Sequence, residues 1–160
     1  MESTAAAEVK VAMPIDQVWS KMRDLSVAHY YVPGLTGCEI TTQQRDGVGA
    51  SRRVFQKGRP PMDETVVEWN EGNGFVIKLH SGDKPPPMFK QATFVYKIEQ
   101  FGNETVFKPA MMYTMPWGAF GRLLDMLFLN KLFTGIVKKV AVSFKQYYET
   151  GAPSNPLFKG

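Results

Sequence analysis

Two arginines in one apolar run and a glutamate in the next, Arg52, Arg53 and Glu64, are the side chains best placed for chemistry. Adjacent strand residues point to opposite faces, so one of the arginines faces inward unless the strand twists away. An inward Val54 would make that residue Arg52. A buried guanidinium needs a carboxylate, and Glu64 is the obvious partner. Alternation around Glu64 leaves two choices, with either Met62, Glu64 and Val66 or Asp63, Thr65, Val67 and Trp69 turned inward. An inward Glu64 in an apolar hollow would have a raised pKa and could act as a catalytic acid or a hydrogen-bond donor. Turned outward, it is a solvated strand residue, and both arginines reach water at the sheet edge.

Tyr30, Tyr31, Tyr96 and Tyr113 could each hold a ligand hydroxyl or carbonyl, or serve as a weak acid, and each could equally be core packing. His29 and His80 lack the neighbours of a metal site or a nucleophilic triad. Gly47-Val48-Gly49 is not followed by Lys-Ser/Thr and reads as a hairpin instead of a phosphate loop. The expectation is therefore no metal and no cofactor. Cys38 is the only cysteine, so an internal disulfide is excluded, and its residue type suits a small buried apolar position.

The elements that must position these groups fit within one domain of 160 residues. Hydrophobic residues at 44% and charged residues at 21% are ordinary globular proportions. A net charge of +4, spread along the chain, does not mark a nucleic-acid binder. The start of the chain reads as no secretory signal, and no 18-residue uncharged apolar run occurs. A cytoplasmic protein is expected.

Alternation over residues 7–13 predicts a strand, and Pro14 with Asp16 opens a helix over 15–24. A short helical piece follows at 25–31. Six further strands are predicted over 37–43, 50–57, 62–70, 75–81, 90–100 and 104–115, separated by turn residues. Residues 117–148 read as one helix about 45 Å long. The fold class is α+β: a seven-stranded curved antiparallel sheet wrapped around a long C-terminal helix, with two short helices after the first strand. Residues 1–150 form a single domain, and 151–160, rich in Gly, Pro and Ser, form a flexible tail.

At 100° per residue Met126, Leu129, Phe133, Ile136, Val137, Val140, Phe144 and Tyr147 share one side of the long helix, opposite Lys131, Lys138 and Lys145. The first half breaks this pattern, because Phe120, Leu124 and Leu127 lie on the lysine side. Either loops cover that second face, or it is an exposed patch beside a cavity mouth that meets a membrane surface or a partner subunit through Phe120, Leu124 and Leu127.

This pattern resembles the START-like, or SRPBCC, superfamily with its helix-grip fold. The residues that carry the resemblance are Pro14-Ile15-Asp16-Gln17-Val18-Trp19, Asp24-Leu25, Tyr31-Val32-Pro33-Gly34, Asp46-Gly47-Val48-Gly49-Ala50 with Arg52-Arg53, Glu64 through Trp69, and Met115-Pro116. The polyketide cyclase/dehydrase and lipid-transport branch is the most similar. The resemblance implies a ligand-binding domain with a cavity between the sheet and the helix, entered near the loops and the helix's N-terminal half. It also favours the inward set that contains Glu64, with a bulge before Trp69. The expected cavity wall comprises Tyr30, Arg52, Val54 and Glu64, then Phe75, Ile77, Phe94 and Tyr96. Met111, Tyr113, Trp117, Phe133 and Val137 complete it. Binding or transport of a small hydrophobic or lipid-like molecule leads. The alternative is a cyclase or dehydratase with Glu64 as its catalytic group.

Overall fold

The computed structural model describes residues 2–158. Strands β1 (Ser3–Ala6) and β2 (Val9–Val11) precede helix α1 (Ile15–Met22), a 3-10 turn (Leu25–Val27) and helix α2 (Ala28–Tyr31). Six strands follow: β3 (Leu35–Ile40), β4 (Ser51–Gln56), β5 (Arg59–Asn70), β6 (Gly74–His80), β7 (Gln91–Phe101) and β8 (Glu104–Thr114). The C-terminal rod is α3 (Gly118–Leu124), a π-helical turn (Asp125–Leu129) and α4 (Asn130–Thr150).

All strand pairs are antiparallel, in the order β1-β8-β7-β6-β5-β4-β3, with β2 also on β8. The expected α+β fold is present, and the sheet has eight strands where seven were read. The reason lies at Pro109. Ala6 pairs with Ala110 and Val9 with Phe107 in one unbroken register, but Pro109, which lies between them on β8, has no N–H to donate. The ribbon is therefore split in two, with β2 inside the strand predicted over 7–13 and β1 ahead of it, and the Ala7 N–H donates to the Pro109 carbonyl at 3.1 Å.

The β4–β5 turn is Lys57-Gly58, and the two prolines read as part of that turn sit at the projecting start of β5, beyond the end of the β6 pairing. A bulge between Val66 and Glu68 reverses the parity of β5, so Glu64, Val66 and Trp69 share the concave face. Gly74 is required where β6 crosses β7, because a Cβ there would lie 1.9 Å from the Tyr96 carbonyl oxygen.

The interior is packed at both ends. At one, Phe107, Phe144 and Tyr148 stack at 3.8 Å between centroids, joined by Val18, Trp19 and Ile98. At the other, Ala5, Ala92, Tyr113, Phe133 and Val137 close the sheet on the helix. Leu79 and Phe94 touch both groups and so span the space between them.

Residues 151–158 are held in place, against the expected flexible tail, whose last two residues lie outside the described ones. The fully buried Asn155 donates from Nδ2 to the carbonyls of His29 (2.7 Å) and Leu35 (2.9 Å), and the Ser154 and Asn155 N–H groups both donate to the Tyr30 carbonyl. Composition suggested fraying, and four long-range hydrogen bonds override it.

Candidate functional site

A cavity of about 500 Å³ lies between the sheet and α4. Strand alternation supplies most of its wall: Arg52 and Val54 from β4, Met62 and Glu64 from β5, Leu79 from β6, and Phe94 and Tyr96 from β7. Phe133 and Val140, two turns apart, line it from α4. Gln56, Arg59 and Pro60 of the β4–β5 hairpin and Pro87, Met88 and Phe89 of the β6–β7 loop form its rim. Met88 is 60% exposed and holds φ +75°, a conformation rarely adopted by a residue with a Cβ.

The polar centre is built on Arg52, which is 2% exposed. Its Nε donates to Glu64 Oε2 at 3.0 Å, Nη1 to the Leu25 carbonyl at 2.9 Å and Nη2 to the Tyr96 hydroxyl at 3.3 Å. Burial is the largest single influence on this guanidinium and would lower its pKa, but the Glu64 carboxylate together with Tyr96, Tyr31 and Cys38 outweighs it and holds the arginine well above its ordinary value. Glu64 therefore stands in the cavity wall as the ion-pair partner of Arg52. Its Oε1 has no donor among the described residues and stays open to the cavity. Burial raises the pKa of Tyr96, and that of the adjoining Tyr31 well above the usual phenol value, so both are neutral hydrogen-bonding groups near pH 7.

Of the expected wall residues, the cavity brings together Arg52, Val54, Glu64, Phe94, Tyr96 and Phe133. Phe75 and Ile77 point inward, but into the packed end beside Trp69 and Tyr96. Met111, Tyr113 and Val137 belong to the opposite packed end. Tyr30 stacks on Tyr147 and meets Phe158 of the docked tail, whereas its neighbour Tyr31 is the one buried against Phe144 and Tyr148. Trp117 is 62% exposed, because it forms the left-handed N-cap of α3 with φ +72°. The helix's N-terminal half does not line the cavity; the rim is made by the hairpin and the loop. Missed wall residues such as Met88 and Phe89 lie in a proline-bounded loop with no periodicity to read.

Sequence reasoning also missed a second polar cluster. Asp125, 6% exposed in the π turn, accepts from Ser3 Oγ at 2.5 Å and from the Tyr113 hydroxyl. Asn130 Nδ2 donates to the Tyr113 hydroxyl at 3.1 Å and to the Thr4 carbonyl at 3.0 Å. Burial, then the bond to Asp125, pushes the Tyr113 pKa up to about 12. An acid alone among apolar residues, with no other acid on the rod until Glu149, was the available signal. Among the described residues no group of three or more His, Cys, Asp or Glu side chains could hold a metal ion.

The model of the family described as polyketide cyclase / dehydrase and lipid transport matches residues 3–149. No curated protein matches the chain in sequence. Among solved structures, a START superfamily protein from Mycobacterium smegmatis superposes with a TM-score of 0.72 at 15% identity, over 93% of this chain and 99% of that one. Ara h 8.0201 gives 0.63 at 14% identity, over 92% and 98%. At these identities the structural likeness is one of fold. With the family match spanning nearly every element that builds the hollow, the chain belongs to the polyketide cyclase/dehydrase and lipid transport family of the START-like, helix-grip superfamily, a membership that implies a hydrophobic ligand.

Proposed function

We propose that the protein binds and carries one small lipid-like molecule in the cavity, with a hydroxyl of that molecule donating to Glu64 Oε1. The observation that carries this reading is a largely apolar hollow of about 500 Å³ with one unfilled acceptor in its wall. That volume suits a single small ligand. Burial of apolar surface, at about 25 cal/mol per Å², supplies most of the affinity.

The polar centre argues for a neutral ligand over a carboxylate. Arg52 is already engaged by Glu64, the Leu25 carbonyl and Tyr96, so a carboxylate entering beside Glu64 would meet its charge with no free cation at that centre; Arg59, the other cation on the cavity wall, stands out at the rim. Displacement of an apolar fluorescent probe tests this directly. A long-chain alcohol should compete better than the fatty acid of equal length, and Glu64→Gln should weaken the alcohol roughly tenfold, the order for a hydrogen bond to a charged group. Equal competition by acid and alcohol would sink the orientation, and failure to bind any apolar probe would sink the carrier reading.

A cyclase or dehydratase is the second reading, favoured by one observation: Glu64, the one carboxylate on the cavity wall, stands beside Arg52 and Tyr96. Against it, the raised pKa of Tyr96 takes that phenol away from the neutral range best suited to proton transfer. Turnover of a polyketide-like substrate that Glu64→Gln abolishes while binding persists would decide for the enzyme.

A further inference from the structure

Eight of the fourteen large hydrophobic residues exposed among the described ones lie between Trp117 and Ile136. Phe120 is 63% exposed, Phe128 65% and Leu132 57%. Such a cluster is unusual on a surface that meets only water. The π turn explains how one rod can bury Asp125, Leu129 and Phe133 and still carry this second apolar face outward. Among the described residues Trp117 is one of two non-glycine residues with positive φ, and the other is Met88 at the cavity rim. Both are large, apolar and exposed, so backbone strain accompanies the display of these side chains.

Charge selects the occupant. Arg122, Lys131, Lys138 and Lys139 are exposed along the rod, while its only acid before Glu149, Asp125, is buried and engaged. A second copy on this face would bring Arg122 and Lys131 against identical cations, and the rod itself carries no exposed acid before Glu149 to neutralise them. A bilayer with anionic headgroups meets both demands, because it accepts the apolar side chains below the headgroups and pairs the cations at their level. Trp117 at the end of the face suits the interfacial region, where aromatic residues collect. No helix among the described residues is long and apolar enough to cross a membrane, so the contact is a surface one.

We infer that the face from Trp117 to Leu132 docks on membrane surfaces carrying anionic lipid. Phe133, on the cavity wall, directly follows Leu132 of the docked face, so the helix that docks is the one that also forms a wall of the cavity. The inference is independent of what fills the cavity.

Co-sedimentation with vesicles of phosphatidylcholine alone, and of phosphatidylcholine mixed with phosphatidylserine, tests it. The protein should partition onto the mixed vesicles at least about tenfold more strongly, given roughly fivefold for each basic residue at the surface. Added salt should reduce the difference. The double variant Phe120→Ser, Leu127→Ser should lose binding to both vesicle types and keep its circular dichroism and apolar-probe affinity, because neither residue lines the cavity. Arg122→Glu with Lys131→Glu should remove only the preference for anionic lipid. Protein that stays in the supernatant with both vesicle types would overturn the inference. So would a dimer in sedimentation equilibrium that Phe120→Ser, Leu127→Ser converts to monomer with no vesicle binding by the parent chain.

Discussion

Two clusters of buried polar side chains hold the inside of this molecule together, and they differ in whether a polar atom is left without a partner. Arg52, Glu64 and Tyr96 meet at the cavity wall, where Glu64 keeps one oxygen unfilled. Ser3, Tyr113, Asp125 and Asn130 meet where the π turn crosses β1 and β8, and both Asp125 oxygens are taken. The first cluster has capacity left for a ligand. The second spends its capacity on fixing the rod to the sheet.

The largest expected effect is at Arg52. Arg52→Leu leaves the Glu64 carboxylate facing an apolar wall without its cation, and urea denaturation should show a loss of about 3–5 kcal/mol. Replacing both partners by Leu should restore most of it. If the single variant is no worse than the double, the pair is uncoupled and the contrast fails. Asp125→Ala should cost less, about 1–3 kcal/mol, by leaving the Ser3 and Tyr113 hydroxyls without their acceptor. Apolar-probe affinity should stay at the parent value, while amide exchange quickens in residues 118–129; a fall in probe affinity would show that the two clusters are one system.

The smallest effect concerns a polar atom with neither partner nor space. His29 Nδ1 is buried without a hydrogen bond, and burial lowers the pKa of the ring below 6.5. Below pH 6.5 the unfolded chain takes up a proton that the folded one resists, so this contribution is complete above that pH and is lost as pH falls towards the folded value. Stability should therefore decline slightly on mild acidification, and a His29→Phe variant should show a flatter profile over that window.

The cavity cluster was readable from the sequence because strand parity is a local rule. Once Val54 faces inward, Arg52 must, and Glu64 sits opposite it in the β4–β5 register. The bulge before Trp69 resolved the competing parity of β5. Asp125 was unreadable by the same means, because a wheel turned at a constant 100° per residue fails at a π turn. Met126, assigned inward on that wheel, is 71% exposed, while Leu124, assigned to the outer face, is half-buried; Ile136, beyond the turn, is 48% exposed at the edge of the α4 stripe. The docked tail was hidden for a different reason: nothing local to Asn155 announces partners at His29 and Leu35, more than a hundred residues away.

The π turn also makes chain length a variable that composition does not capture. It takes up one residue more than an α-helical turn would, as though an insertion had been absorbed without breaking the rod. Deleting one residue from Asp125–Leu129 would restore a regular helix and rotate everything before it by about 100° relative to the sheet. Asp125 would swing away from Ser3, and a different set of side chains would face outward. In this stretch the number of residues, as much as their identity, encodes which surface the protein shows.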